Sequence, residues 1–270
     1  MINNNPIGIF DSGFGGLTVM SAINDLLPLE SIIYFGDTAH VPYGSKSKNI
    51  VVRYSMEISS FLIKCNVKLI VVGCNTASAF ALSILKKTFK IPVIGVIRPG
   101  SKAAVLVSKN RKIGVIGTEG TVNSKSYLRE ISKISLFKIK VYQQACPLLV
   151  PLIEYGLNDS YIVNNVVKKY MNPLLKKKID TLILGCTHYP LLKKILKKNV
   201  GNDITLIDSA IATANEVKYM LDKECISANN KIGGNFLKFY VSDNPGKFKT
   251  IGSRFFRKKI LDIKKIELIC

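Results

Sequence analysis

Two cysteines of this 270-residue chain stand in matching surroundings. Cys74 ends the apolar run Leu69–Gly73 and precedes Asn75-Thr76-Ala77; Cys186 ends Thr181–Gly185 and precedes Thr187-His188-Tyr189-Pro190. A thiolate is a base that can take a weakly acidic C–H proton, and a thiol is an acid that can return one. Two thiols placed alike in two halves of a protein can face one substrate from opposite sides. Inversion of a stereocentre by proton transfer needs that arrangement. Each cysteine falls where a strand gives way to a helix, and a helix N-terminus lowers a thiol pKa and raises the thiolate fraction. Asn75, Thr76 and Thr187 add uncharged hydrogen-bonding groups suited to an ammonium or a carboxylate. Asp11 is placed to accept a proton from one thiol or to orient it, and His188 to do the same for the other.

For either cysteine alone, a small buried hydrophobe is the ordinary reading. Two further uses of the same groups stand open. A Cys–His pair can act as nucleophile and base in acyl transfer, which employs one thiol and leaves the duplication unexplained. Cys74, Cys186 and His188 can also be read as zinc ligands, although Cys-x-His is poor ligand spacing and no further ligand stands out.

Two other segments carry polar groups after apolar runs. Asp11-Ser12-Gly13-Phe14-Gly15-Gly16 turns sharply towards a helix, whose N-terminal N–H groups suit an anion such as a carboxylate. It is neither a Walker sequence nor a dinucleotide fingerprint, so phosphate is not implied. Asp37-Thr38-Ala39-His40-Val41-Pro42-Tyr43-Gly44 reads as a rigid loop with the Tyr43 hydroxyl at its tip. A tight turn is the plain alternative for both.

The elements that position these residues alternate. Strands are expected at Ile7–Phe10, Ile32–Phe35, Leu69–Gly73, Val93–Val96, Ile113–Gly117, Ile139–Tyr142, Thr181–Gly185 and Thr205–Ile207, with a last one at Phe236–Val241. Helical periodicity fills Gly16–Leu27, Ile50–Cys65, Ala77–Phe89, Ser101–Ser108, Ser124–Ile134, Asp159–Lys176 and Ala210–Lys223. Strands apolar throughout and separated by helices indicate parallel sheets covered on both faces, an α/β class. Ile7-Gly8-Ile9-Phe10-Asp11-Ser12 echoes Ile113-Gly114-Val115-Ile116-Gly117-Thr118 at an offset of 106, close to the 112 between Cys74 and Cys186. The chain is therefore expected to form two related α/β domains, residues 1–97 plus 209–270 and residues 98–208, with the crossing near Ile97-Arg98-Pro99-Gly100. Parallel sheets hold ligands beyond the carboxyl ends of their strands, which puts the site in the cleft between the halves.

Composition bounds the rest. A chain that is 47% hydrophobic can bury a full core, and no apolar run approaches the roughly 18 residues of a membrane helix. The start, Met1-Ile2-Asn3-Asn4-Asn5-Pro6, lacks a basic region followed by an apolar one, so a cytoplasmic location is expected. Six cysteines without a Cys-x-x-Cys pair do not make a disulfide framework; Cys65, Cys146 and Cys225 read as ordinary and Cys270 is the last residue. The formal charge of +21 invites a nucleic-acid reading, but the lysines are scattered in short runs on the polar faces of helices.

The chain resembles the glutamate racemases, cofactor-independent enzymes that supply D-glutamate for peptidoglycan. The likeness runs over nearly the whole length. It rests on Phe10 to Leu17, on Asp37 with Pro42-Tyr43-Gly44, on Gly73 to Ala77, on Gly117-Thr118 with Thr121, on Glu154, and on Gly185 to Leu191. The Cys-Thr-His-Tyr-Pro form favours this family over the aspartate and hydantoin racemases. The resemblance implies two domains in pseudo-twofold symmetry around one substrate, no cofactor and no metal. It implies that Cys74 serves the D-enantiomer with help from Asp11, and Cys186 the L-enantiomer with help from His188. Substrate contacts carry over to Asp11, Ser12, Tyr43, Gly44, Asn75, Thr76, Thr118, Thr121, Thr187 and His188, with Asp37, Pro42 and Glu154 in support. Family members are commonly homodimers, and some answer to a peptidoglycan precursor or bind DNA gyrase; no long N-terminal extension of the kind tied to precursor activation is seen. Arg98 is unusual for the family at the domain crossing. Rival readings are a racemase for aspartate or another acid, and a basic nucleic-acid-binding protein on a racemase fold.

Overall fold

The computed structural model describes residues 3–229 and 234–268; Cys270 lies outside them. Ten strands and twelve helices are described among those residues, numbered in chain order. The strands are β1 (Ile7–Asp11), β2 (Ile32–Gly36), β3 (Leu69–Val72), β4 (Val93–Gly95), β5 (Lys112–Gly117), β6 (Lys140–Ala145), β7 (Thr181–Gly185), β8 (Thr205–Asp208), β9 (Leu237–Val241) and β10 (Ile263–Lys265). The helices are α1 (Leu17–Leu26), α2 (Lys48–Lys64), α3 (Asn75–Phe80), α4 (Leu82–Thr88), α5 (Ile97–Val107), α6 (Glu119–Asn123), α7 (Ser126–Ile134), α8 (Leu149–Glu154), α9 (Tyr161–Leu175), α10 (Lys193–Val200), α11 (Ser209–Lys223) and α12 (Pro245–Phe256).

The strands form two sheets in which every pairing is parallel. The first runs β10-β9-β2-β1-β3-β4 and the second β6-β5-β7-β8. The repeat seen in the sequence is thus built as two equivalent strand orders. β1 and β5, the two echoing segments, each lie beside the strand that ends in Gly-Cys. The first sheet adds β9 and β10 at its β2 edge. The protein is α/β, with two parallel-sheet domains.

The central strands are buried on both faces: every residue of β1, β2, β3 and β7 is buried. That is why they read as unbroken apolar runs rather than as alternating ones. One apolar cluster runs through both halves, from Ile9 and Leu17 to Leu184, Val217 and Phe248. A second lies under α2 to α4 on the outer face of the first sheet, and a third under α5 and α7 on the second.

Several expected elements differ in extent. The Ala77–Phe89 helix is two helices, α3 and α4, divided at Ala81. The Ser124–Ile134 segment is preceded by a separate short helix, α6, and Lys125 between them is left-handed at φ 55°. The helix expected at Ser101–Ser108 starts earlier, so Ile97-Arg98-Pro99-Gly100 forms the first turn of α5, where a proline costs no helical hydrogen bond. Arg98 there pairs at the surface with Glu130, 3.0 Å away.

Candidate active site

Each sheet reverses its winding between two central strands, and ligands of open parallel sheets bind beyond the carboxyl ends at such points. In the first sheet those strands are β1 and β3, followed by Asp11-Ser12 and Cys74. In the second they are β5 and β7, followed by Thr118 and Cys186. The four chain segments meet around one cavity of about 20 Å³ between the halves. Ser12, Cys74, Asn75 and Thr76 line it from the first half, together with Pro42, Tyr43 and Gly44. Thr118, Cys186, Thr187 and His188 line it from the second. Val41 and Val150 supply apolar wall and were not singled out from the sequence.

Four of the residues read from the sequence stand behind that wall. Asp11 is fully buried and accepts hydrogen bonds from the Gly13 amide at 3.0 Å and from the Thr187 hydroxyl at 3.5 Å. Thr121 bonds to Thr118 at 3.1 Å and to Thr76 at 3.2 Å, and Thr76 to Thr118 at 2.9 Å, a hydroxyl cluster that joins the halves. Glu154 accepts from His188 Nε2 at 3.0 Å, while His188 Nδ1 lies 3.9 Å from the Cys186 sulfur. Asp37 gathers the Tyr43 hydroxyl at 2.5 Å, Ser242 at 2.7 Å and His40 at 2.8 Å. The Tyr43 hydroxyl therefore faces inward to Asp37 rather than standing at the loop tip as expected.

The glycine-rich turn after β1 also departs from expectation. Its amides were to hold an external anion, but those of Gly13 and Gly16 bond to the carboxylate of Asp11. The turn is built round the protein's own carboxyl. It is also built for closeness. A Cβ on Gly15 would overlap the Thr187 hydroxyl and the His188 ring, and one on Gly16 would overlap Asp11. Glycine is needed at Gly15 for close approach between the halves and at Gly16 for the turn to close on Asp11.

The thiols are held neutral. Burial pushes Cys74 up to about 12 from the ordinary 9.0, and the negative charge of Asp11 adds to this. The Ala77 amide, 3.5 Å from the sulfur, and the Ser12 hydroxyl oppose the rise without cancelling it. Cys186 is also raised well above the ordinary value, by burial first; the His188 amide opposes, and the charges of Cys74, Asp11 and Glu154 add to the rise. The expected lowering by a helix N-terminus is thus present as hydrogen bonds but is outweighed by desolvation. Burial likewise raises Asp11, with the charge of His188 pulling the other way.

Sequence reasoning missed the residues that brace this set. Thr18 donates to the Thr187 carbonyl at 3.1 Å, and Phe255 meets the His188 ring edge-on at 5.0 Å. Tyr127 donates to Asn75 across the cleft at 2.7 Å. None sits in a motif, and a hydroxyl or ring on a helix face gives no local signal of a partner distant in sequence. Among the described residues, no group of three or more His, Cys, Asp or Glu is placed to hold a metal ion. None of the helices there is long and apolar enough to cross a membrane.

This geometry has close counterparts. A profile of the Asp/Glu/hydantoin racemase family matches residues 15–217. A glutamate racemase of Geobacter metallireducens is 46% identical over 263 residues, covering 97% of this chain and 96% of its own. The crystal structure of a glutamate racemase isoform from Bacillus anthracis superposes with a TM-score of 0.94 at 42% identity, covering 98% of each chain. That of Francisella tularensis glutamate racemase in complex with D-glutamate gives 0.91 at 38% identity, again covering 98% of each. Shared fold, shared length and this level of identity place the chain: it belongs to the Asp/Glu/hydantoin racemase family, among its glutamate racemases.

Proposed function

We propose that the protein interconverts L- and D-glutamate by a two-base mechanism in which Cys74 and Cys186 act on opposite faces of the α-carbon. The observation that carries this reading is the placement of two buried thiols, one at the end of a central strand in each sheet, on the walls of one cavity. One sulfur, as thiolate, takes the α-proton; the C–H bond breaks and an S–H bond forms. The other, as thiol, gives its proton to the opposite face, and its electron pair returns to sulfur. The enzyme ends with the two protonation states exchanged, and no oxidant or reductant is required. A single nucleophilic cysteine would leave the second thiol idle.

The helpers differ. Asp11, whose carboxyl is raised by burial, supports proton exchange at Cys74, and His188, braced by Glu154, does so at Cys186. Asn75, Thr76 and Thr118 hold the substrate's polar groups, with Thr121 bracing the two threonines from behind and Ser12, Tyr43, Gly44 and Thr187 completing the wall. An incoming α-ammonium places a positive charge beside the sulfurs and favours the thiolate that the protein alone disfavours. A cavity of about 20 Å³ holds about one water, too little for an amino-acid dicarboxylate. Entry therefore needs the halves to part, with residues 1–97 plus 209–270 moving against 98–208. We assign the activity to the cytoplasmic supply of D-glutamate for peptidoglycan, in a homodimer.

Incubation of the purified protein with L-glutamate in deuterated water, without added cofactor, tests the reading. D-glutamate carrying deuterium at the α-carbon is the expected product. Turnover of aspartate in place of glutamate, or no exchange at all, would overturn it.

A further inference from the structure

Among the described residues of the first half, Asn75 carries the one amide side chain on the cleft wall, and the two ends of that amide are treated differently. Its Oδ1 accepts a 2.7 Å hydrogen bond from the Tyr127 hydroxyl. Its Nδ2 is buried without a partner, although the residue is only 2% exposed. A buried N–H donor left unpaired costs free energy, so its survival in a binding wall calls for a partner. The neighbouring hydroxyls of Thr76, Thr118 and Thr121 are bonded to one another, whereas Nδ2 of Asn75, a residue of the cavity wall, has no partner.

The orientation of this amide comes from the other half. Tyr127 lies on α7 of the second domain, with its ring fully buried and packed close to Gly185, just before Cys186. Burial pushes its phenol pKa up, so the hydroxyl stays protonated throughout the working range. An Asn amide turned by half a rotation would present its oxygen to the cleft and repel a carboxylate. The bond to Tyr127 fixes where the amide sits, and in the orientation seen, with the phenol donating to Oδ1, the NH2 is the end left without a partner.

We propose that Tyr127 is a positioning residue for substrate binding, its hydroxyl holding the Asn75 side chain with the NH2 group turned into the cleft towards a substrate carboxylate. The inference rests on the glutamate reading above and adds to it. It also means that the donor from the first half is aimed only when the second half is docked against it. Carboxylate recognition and closure of the cleft are then one event.

The test is steady-state racemisation of glutamate by Tyr127→Phe, Asn75→Ala and the double variant, with thermal melting of each. Phe keeps the ring packed against Gly185 and removes only the donor. A hydrogen bond to a charged group lost through misorientation should raise KM about tenfold in both directions, with kcat changed less than about threefold. The double variant should be no worse than Asn75→Ala alone, because the hydroxyl acts only through the amide. An unchanged KM, a fall in kcat alone, or losses that multiply in the double variant would each overturn the inference. If Tyr127→Phe does not fold, Asn75→Asp examines the same orientation. It keeps an acceptor for Tyr127 but replaces the NH2 with oxygen, and calorimetric binding of D-glutamate should weaken by about a hundredfold or more. Unchanged binding would overturn the inference. A wild-type protein inactive on glutamate would instead defeat the function proposed above.

Discussion

The two halves of the molecule share a backbone plan and differ in charge. β2-β1-β3-β4 in one is matched by β6-β5-β7-β8 in the other, and each plan ends a central strand in Gly-Cys. Around Cys74 the strongest neighbour is a carboxyl, Asp11, which raises the thiol further; around Cys186 it is the amide and ring of His188. The halves also lend groups to each other. Thr187 reaches Asp11, Thr18 reaches the Thr187 carbonyl, and Tyr127 reaches Asn75. Duplication supplies two bases on two faces. Divergence supplies a carboxyl partner for one and an imidazole partner for the other, so the two thiols need not behave alike.

The largest expected effect tests what they still have in common. With Cys74 held near 12 rather than 9.0, the thiolate fraction at pH 8 is about a thousandfold below that of an ordinary thiol. Alkylation of Cys74 in the ligand-free protein, followed by mass spectrometry, should be slower than for a peptide thiol by more than about tenfold, the smaller thiolate fraction being only partly offset by the greater nucleophilicity of a more basic sulfur. The sign is fixed by the upward shift: the rate should climb about tenfold per pH unit and keep climbing beyond pH 9. A plateau near pH 9 would show that burial does not govern the thiol.

Next in size is the division of labour. Asp11→Asn and His188→Asn should each lower racemisation by about a hundredfold, in the range of one acid–base group. Because the enantiomers have equal free energy, kcat/KM must fall equally in both directions for each variant. The difference between halves should instead show in one-face elimination from an analogue with a good leaving group. Asp11→Asn should slow it on the D-analogue and His188→Asn on the L-analogue. Equal slowing of both would erase the distinction between the halves.

A smaller effect is expected from Gly15→Ala, which drives a methyl into Thr187 and His188. Overpacking of this kind costs about 1–3 kcal/mol of stability, read by denaturant unfolding, and kcat should fall about tenfold as His188 is displaced. An unchanged kcat would mean that the contact between halves is softer than it looks. Smallest is Glu154→Gln, which keeps an acceptor for His188 Nε2 but not the charge. A loss of a few-fold, with a changed pH profile, is expected, since a neutral hydrogen bond is about half as strong as a charged one.

Much of this site was legible because its signals are local. Apolar strands buried on both faces announce themselves, and the residues that follow them fall at strand ends wherever the boundaries are drawn within a residue or two. Cys74, Cys186, Ser12, Thr118 and His188 were found in this way and meet at one cavity. What stayed hidden depends on packing across the chain. β10 is three residues, Ile263–Lys265, two of them exposed lysines, and becomes a strand only beside β9. α8, which carries Glu154, is six residues with a proline inside, too short for periodicity to show. The thiol acidity was misjudged for the same reason. Sequence displays the helix start that lowers a pKa, but not the depth of burial that raises it more.

The most direct measurement compares Cys74→Ala with Cys186→Ala on racemisation of glutamate and on elimination from each enantiomer of such an analogue. Each variant should lose racemisation by about 10³-fold or more, because either face without its base stops the exchange. Each should keep elimination on one enantiomer only: Cys74→Ala on the L-analogue and Cys186→Ala on the D-analogue. If either single variant still racemises glutamate near the wild-type rate, or if both keep elimination on the same enantiomer, two opposed thiols are not the catalytic pair.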